Sequence, residues 1–166
     1  ATYDAAQDSA TLSNAEAAGS ATFSIAGAAL ETVSLSTDAT AAGELVSVDN
    51  TGDTVKTANV AASDDAAVYV ESTALENVAV SGEGQVTLTA GTAPSKTLSS
   101  ANSTGGVVYT TALGDAVAFT GGAGADTVSF GATTKAQTMG AGDDTVILTG
   151  AALGTGGSID AGEGTD

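Results

Sequence analysis

Three segments near the carboxyl end of the chain combine glycine with an aspartate at a fixed spacing. Glycine lacks a Cβ, so it lets the backbone take positive φ and turn carbonyl oxygens inward, and the aspartate adds a carboxylate to them. Oxygen ligands of this kind suit a hard cation such as calcium, which takes about six to eight of them. The three segments are Gly121-Gly122-Ala123-Gly124-Ala125-Asp126-Thr127-Val128, Met139-Gly140-Ala141-Gly142-Asp143-Asp144-Thr145-Val146 and Ala161-Gly162-Glu163-Gly164-Thr165-Asp166.

The spacing of the aspartates predicts where they lie. Asp144 follows Asp126 by two nonapeptides, which make one full coil of a parallel roll. Both carboxylates would then lie on one edge, one strand spacing or about 5 Å apart. Two such charges repel by roughly 3 kcal/mol at an effective dielectric constant near 20, and a cation between them reverses the sign. The third aspartate, Asp166, comes later than this period requires, so we predict a four-residue insertion between Thr149 and Gly157.

The half-coil between the first two segments differs from them. Its sequence, Gly131-Ala132-Thr133-Thr134-Lys135, has a lysine where the other edge of the roll would need an aspartate, so we expect calcium along one edge only. A plainer interpretation is that Gly-Asp clusters merely form turns. Three copies, two of them separated by a whole number of nonapeptides, favour a cation site at these segments. For two further acidic stretches, Asp64-Asp65 and Asp49-Asn50-Thr51-Gly52-Asp53, a solvated polar turn is the favoured interpretation over a calcium loop.

The composition limits both fold and function. The chain has 166 residues, 42% of them apolar and 4% aromatic, and because the apolar residues are small we expect one domain with the thin core of a solenoid. Twenty acidic residues and three basic ones give a formal charge of −17, which excludes binding to nucleic acid or to an anionic membrane surface. No apolar run predicts membrane insertion. His, Cys, Arg and Trp are absent from the sequence, so we predict no catalytic residue.

Short runs of alternating β-branched and polar residues predict strands along most of the chain. They recur about every eight to thirteen residues, which permits either a sandwich or a solenoid. The predicted strands cover residues 21–25, 31–35, 45–48, 67–70, 77–80, 85–88, 96–99, 106–110, 116–119, 126–130 and 144–148.

An internal repeat favours the solenoid. Residues 21–35 align without gaps on residues 66–80, and self-similarity at a period of this length is typical of stacked coils. Chance matching of small-residue strands is the alternative. The aligned pairs include Phe23 with Val68, Ile25 with Val70, Val33 with Val78 and Leu35 with Val80.

We divide the chain into three parts. Residues 1–20 are a lead-in that could be a short helix around Asn14 to Ala18, an edge strand or a linker. Residues 21–120 form β-solenoid coils, and residues 121–166 form a calcium-binding β-roll that continues the same solenoid. Because the sequence starts without Met and stops within a repeat, we expect it to be a fragment of a longer protein.

The chain resembles the RTX-type surface-layer proteins and adhesins of Gram-negative bacteria, which carry the hemolysin-type calcium-binding repeat and leave the cell by type I secretion. The resemblance covers roughly residues 21–166. It rests on the three glycine-aspartate segments, on the paired phrases Ala29-Leu30-Glu31-Thr32-Val33-Ser34-Leu35 and Ala74-Leu75-Glu76-Asn77-Val78-Ala79-Val80, and on Leu98-Ser99-Ser100-Ala101-Asn102-Ser103-Thr104-Gly105-Gly106-Val107.

This resemblance implies an all-β, right-handed parallel β-solenoid (β-helix or β-roll) with Ca²⁺ as its cofactor. It also implies a secreted protein at the cell surface that self-associates into a lattice, with regions outside this sequence binding cell-surface polysaccharide. Met139 and Ala161 depart from the repeat at its first glycine, as do the Lys135 half-coil and the insertion. The ligands carried over are Gly122, Gly124, Asp126, Gly140, Ala141, Gly142, Asp144, Gly162, Gly164 and Asp166.

Three functions follow as hypotheses. The first is a structural protein of a surface layer that folds and assembles with calcium. The second is a spacer region of a large RTX adhesin, in which another domain binds the ligand. The third is an enzyme, either through carboxylate pairs or as the non-catalytic RTX tail of a secreted hydrolase.

Overall fold

The computed structural model of the chain describes residues 9–14, 20–25, 30–38, 45–50, 52–150 and 153–166. Every regular element in these ranges is a strand, and none of them contains a helix that could cross a membrane. The strands are β1 (Ser9–Asn14), β2 (Ala21–Ile25), β3 (Thr32–Thr37), β4 (Leu45–Asn50), β5 (Thr57–Ala62), β6 (Ala66–Glu71), β7 (Asn77–Gly82), β8 (Val86–Ala90), β9 (Thr97–Ser103), β10 (Val107–Leu113), β11 (Ala118–Thr120), β12 (Thr127–Phe130), β13 (Ala136–Thr138), β14 (Thr145–Leu148) and β15 (Ser158–Asp160).

The strands form two parallel sheets that together make a solenoid. The odd-numbered strands form an eight-stranded sheet in the order β1-β3-β5-β7-β9-β11-β13-β15, and the even-numbered strands form a seven-stranded sheet that runs from β2 to β14. Consecutive strands belong to opposite sheets, so each strand pairs with the strand one coil away. The predicted all-β parallel solenoid is therefore confirmed.

A thin core lies between the two sheets because alternate residues of each strand point inward. In β1 and β3 the inward residues are buried and the outward ones are partly or fully exposed. Inward residues of successive coils stack in columns, and the parallel pairing gives one such column as Val33, Ala58, Val78, Leu98 and Phe119. Small and branched side chains fill this narrow space, as the composition predicts.

The coils shorten towards the glycine-aspartate segments. In the upstream part of the eight-stranded sheet, Thr32 pairs with Thr57 of the next coil. Between β12 and β14, Thr127 pairs with Thr145, which follows it by only two nonapeptides. The coil length predicted from the spacing of the aspartates is thus confirmed.

The insertion predicted after the second glycine-aspartate segment is also present. Phe130 still pairs with Leu148, so the short coil persists to the end of β14. Ala136 pairs with Ser158, whereas the same coil length would pair it with Gly154. The extra residues therefore fall between β14 and β15, within the predicted turn.

The internal repeat corresponds to two coils. In the eight-stranded sheet Val33 stacks on Val78 through one intermediate strand, as the alignment predicts. In the seven-stranded sheet Phe23 stacks on Val48 and Val48 on Val70, so the predicted pairing of Phe23 with Val68 is wrong by two residues. A slip of two residues keeps the same face inward, which is why the alternation could not detect it.

Of the lead-in, the structure describes Ser9–Asn14 and Ser20, and Ser9–Asn14 form β1, the terminal strand of its sheet among the described strands. The predicted helix around Asn14 to Ala18 lies outside the described residues apart from Asn14, which belongs to β1. Three strands were not predicted: β5, β13 and β15.

Candidate functional site

The turns from each odd-numbered strand to the next even-numbered strand stack along one side of the solenoid, which we call the glycine edge. It includes residues 104–106, 121–126, 139–144 and 161–166. Successive turns lie so close that a Cβ on Gly140, whose φ is +105°, would overlap the carbonyl oxygen of Gly122. Only glycine allows both this φ and this approach.

A ladder of aspartates joins the coils along the glycine edge. The backbone N–H of Val107 donates to Asp126 Oδ1 at 2.6 Å, that of Asp126 to Asp144 Oδ1 at 2.8 Å, and that of Asp144 to Asp166 Oδ1 at 3.0 Å. Each carboxylate therefore accepts a hydrogen bond from the coil before it. The expected placement of Asp126 and Asp144 on one edge, one coil apart, is confirmed.

Upstream, backbone carbonyl oxygens instead of carboxylates accept the equivalent hydrogen bonds between coils. The N–H of Ala66 donates to the carbonyl oxygen of Gln85 at 2.9 Å, and the N–H of Val86 donates to that of Gly106 at 3.1 Å. Ala66, Val86 and Val107 occupy equivalent positions in successive coils. The coil-to-coil acceptor thus changes from a neutral carbonyl to a carboxylate at Val107.

Asp126 is fully buried and its two carboxylate oxygens are both engaged. Oδ1 accepts from Val107 N–H, Oδ2 accepts from Gly122 N–H at 3.4 Å, and the hydroxyl of Ser100 lies 2.9 Å from both oxygens. Burial raises the pKa of Asp126, the three donors oppose that shift, and the carboxylate of Asp144 adds to it.

Asp144 is 4% exposed and differs from Asp126 in one respect. Its Oδ1 accepts from Asp126 N–H, but its buried Oδ2 has no hydrogen-bond partner among the residues that the structure describes. Burial raises the pKa of Asp144, the Asp126 N–H lowers it, and the charges of Asp166 and Asp143 raise it further. A buried carboxylate oxygen without a donor, beside other carboxylates, is an environment that a cation would stabilise.

The other residues that the resemblance names also lie on the glycine edge. Ala141 N–H donates to the Gly122 carbonyl at 2.8 Å, and Glu163 N–H donates to the Gly140 carbonyl at 2.9 Å. A Cβ on Gly164 would overlap the Gly142 carbonyl, so these oxygens point along the stack. The structure brings the whole predicted set together in three stacked turns: Gly122, Gly124 and Asp126, then Gly140, Ala141, Gly142 and Asp144, then Gly162, Gly164 and Asp166.

The donors available to a cation are therefore mixed. Within the described parts of the chain no three Asp or Glu side chains converge closely enough to hold a metal by themselves. A cation at Asp144 would therefore need further oxygen ligands besides carboxylates. Hard oxygen donors without nitrogen or sulfur fit calcium better than zinc or copper.

The opposite edge carries the positive charge. The turns from each even-numbered strand to the next odd-numbered strand stack on the side opposite the glycine edge. All three lysines lie in these turns, directly before a strand of the eight-stranded sheet, so none lies on the glycine edge. Lys56 pairs with Glu31 at 2.6 Å and Lys96 with Glu76 at 2.7 Å, and they form a column in the order Glu31, Lys56, Glu76, Lys96. Glutamate and lysine alternate from coil to coil in this column, so the Leu-Glu phrases recur every second coil. Hydrogen bonding and charge from Glu31 raise the pKa of Lys56.

The other acidic stretches connect coils through hydrogen bonds. Asp65 Oδ1 accepts from Gln85 N–H and Asp53 Oδ1 accepts from Thr73 N–H, both at 2.9 Å. Both contacts join a turn to the next coil. They agree with the polar-turn interpretation of these stretches.

The sequence did not predict two buried polar residues that form hydrogen bonds between coils, Ser100 and Gln137. Ser100 is buried two positions after Leu98, at the inward place that Val80 occupies one coil earlier. Gln137 is buried in β13, where its amide accepts from Phe119 N–H and donates to the Val117 carbonyl and the Thr133 hydroxyl. The available signal was a polar residue at a position where the strand pattern expects an apolar one.

Comparison with known proteins adds no relative. No protein-family model matches the chain, and a search of the curated proteins finds no match either. The functional interpretation therefore depends on the glycine-aspartate segments and on the geometry described above.

Proposed function

We propose that the chain is a calcium-dependent structural element of a bacterial surface layer, secreted and assembled into an extracellular lattice. The observation that carries the calcium part is the buried Oδ2 of Asp144, which has no hydrogen-bond donor within the described ranges and lies on an edge without lysine. The surface-layer part rests on the resemblance to RTX proteins and on the repetitive fold.

Asp144 and Asp166, together with carbonyl oxygens of the glycine turns, would hold the cation. Bound calcium supplies positive charge that offsets the repulsion among buried carboxylates. Without it, the carboxylates repel one another and the glycine-rich turns gain entropy by opening. Dissociation constants on the order of 10⁻⁴ to 10⁻³ M, as in other extracellular modules, would keep these turns open in the cytosol and closed outside. Binding to the folded state alone then stabilises that state.

The outer face of the eight-stranded sheet supports self-association. From β1 to β13 its outward positions carry no charged residue in the described strands. Each copy carries a formal charge of −17. Two copies can approach at such a face without placing negative charges directly opposite one another. One outward column consists of Ser9, Thr32, Thr57, Asn77, Thr97 and Ala118.

Two alternatives differ from the surface-layer proposal because they predict no assembly. A spacer of a large adhesin would fold with calcium but remain a monomeric rod, because each coil of a solenoid contacts only its neighbours. The non-catalytic tail of a secreted enzyme would behave in the same way, and would be recognised by hydrolase activity in the longer protein.

The test is assembly of the purified chain on addition of millimolar calcium, followed by sedimentation and electron microscopy. The surface-layer proposal predicts two-dimensional sheets with calcium and monomers with a chelator. Ser36→Glu, which places a charge on the proposed contact face, should abolish the sheets but keep calcium-dependent folding. Thr87→Glu on the outer face of the other sheet is the matched control. A calcium-folded monomer would favour the spacer, and a chain indifferent to calcium would contradict the proposal.

A further inference from the structure

We propose that Ser100 and Asp126 form a cation-independent lock that closes the coil ending at Asp126, so that calcium is required only from Asp144 onwards. The part of this proposal that concerns calcium rests on the proposed function. The part that concerns the lock does not, because it depends only on contacts within the chain.

The first support is the number of donors around Asp126. A carboxylate has about four lone-pair sites. Asp126 has three donors: Val107 N–H, Gly122 N–H and the Ser100 hydroxyl, which lies 2.9 Å from both carboxylate oxygens. A cation would compete with these donors for the two oxygens. Asp144, in contrast, keeps one buried oxygen to which none of the described residues donates.

The second support is burial. Ser100 and Asp126 are each 0% exposed, so water does not compete for the hydrogen bonds between them. Charge-assisted hydrogen bonds to three protein donors stabilise a buried carboxylate without a counter-ion. Protein donors therefore stabilise the buried carboxylate of Asp126, whereas, within the described chain, the Oδ2 atom of Asp144 lacks such stabilisation.

The third observation is a backbone irregularity that directly follows Ser100, which itself keeps the regular inward position. Ala79 pairs with Ser99, but Ser81 pairs with Asn102 rather than with Ala101, so β9 contains one extra residue at this point. In the burial pattern Ala101 and Asn102 are both exposed while Ser100 and Ser103 are buried. Bulges of this kind redirect side chains. This one lies in the coil just before the first glycine-aspartate segment.

The consequence is an order of assembly. The coils up to Val107 are joined by backbone carbonyls and the coil of Asp126 by the lock, so both form without metal. The N–H of Asp126 is then already in place to bond Asp144 when calcium closes the next coil. The upstream solenoid serves as a template for the calcium-dependent turns.

Amide hydrogen exchange of the wild-type chain, resolved by residue, tests the lock without any variant. In the chelator, Val107 N–H should be protected at least about tenfold more than Asp144 N–H, and calcium should raise protection only of the latter. If Val107 is unprotected in the chelator and becomes protected with calcium, the proposal is overturned. If Val107 is protected but Asp144 never responds to calcium, the lock stands and the proposed function fails.

A double-mutant cycle tests the contact itself. Ser100→Ala and Asp126→Asn should be coupled by about tenfold or more in the unfolding equilibrium constant measured in the chelator. Ser103→Ala is the matched control, because its buried hydroxyl contacts only the backbone of Gly82 and Gly106, and it should combine additively with Asp126→Asn.

Calcium titration of Ser100→Ala tests whether the lock is independent of the calcium ligands. The number of ions bound should equal that of the wild type, with affinity changed less than about threefold. Loss of a bound ion in Ser100→Ala, or additivity in the Ser100 cycle, would overturn the lock.

Discussion

The backbone N–H of Asp126 donates a 2.8 Å hydrogen bond to Oδ1 of Asp144, one coil later. The two oxygens of Asp144 therefore differ: Oδ1 completes the hydrogen bonds between coils, while Oδ2 is buried and has no donor in the part of the chain that the structure describes. Removing the charge without removing the acceptor distinguishes a structural carboxylate from a cation ligand.

Asp144→Asn makes that change. The amide oxygen can still accept from Asp126 N–H, and the variant no longer buries an unpartnered charged oxygen, so the free energy of unfolding in the chelator should stay equal or rise. Calcium affinity should fall by about tenfold or more, because one anionic ligand is lost. Isothermal titration and urea unfolding measure the two effects.

Asp143→Asn is the matched control for this experiment. Asp143 is the exposed neighbour of Asp144 and carries the same charge, and its Oδ1 accepts from Thr165 N–H. It should change calcium affinity less than Asp144→Asn does. Equal losses in the two variants would mean that overall charge, rather than coordination by Asp144, determines binding.

The pH dependence follows from the raised pKa values of Asp126 and Asp144. In the unfolded chain these groups titrate near their ordinary value of 3.8, and in the folded chain they titrate higher because they are buried beside other carboxylates. The folded state therefore binds more protons between the two values. Without calcium, the free energy of unfolding should fall as pH rises from about 4 through the raised values, and then level off.

Urea midpoints in the chelator at about pH 5 and at neutral pH check this sign. Calcium at neutral pH should restore the stability that protons supply at pH 5. Asp144→Asn should flatten the dependence, because it removes one of the two groups. A midpoint that rises from pH 5 to neutrality in the chelator contradicts the assignment of burial as the dominant cause.

The close stacking of glycine turns gives a prediction about stability. Gly140→Ala places a Cβ at φ +105° against the Gly122 carbonyl, so it should lower the free energy of unfolding by about 1–3 kcal/mol even with calcium present. Gly114→Ala is the control, since the nearest atom to its Cβ is Val117 Cγ2 at 3.7 Å. Urea unfolding compares the two, and equal stabilities would show that the turns do not require glycine.

The buried side chain of Gln137 in β13 forms hydrogen bonds to the preceding coil. Gln137→Leu would leave the buried Phe119 N–H and Val117 carbonyl without their side-chain partner, so we expect a loss of about 2 kcal/mol or more. Calcium should not restore this loss. Gln85→Leu is the control, because the Gln85 side chain makes one long, exposed bond of 3.4 Å. Thermal unfolding of both variants in calcium distinguishes a buried staple from a surface glutamine.

The period of the sequence predicted the solenoid, the short coil of two nonapeptides and the common edge of Asp126 and Asp144, because these depend on regular spacing. It did not predict β5, whose alanine-rich sequence Thr57–Ala62 alternates too weakly, or β13, which carries Gln137 at its inward position. The two-residue slip at Phe23 preserves the inward face, so hydrophobic pattern cannot detect it. The contact of Ser100 with Asp126 joins two different coils, and no local pattern encodes such a contact.

The central claim is that calcium closes the glycine edge from Asp144 onwards. Amide hydrogen exchange of β14 and β15, compared in millimolar calcium and in a chelator, tests it most directly. We predict that protection of these strands rises at least about tenfold with calcium. Equal protection of β14 and β15 in the chelator and in calcium would contradict the account.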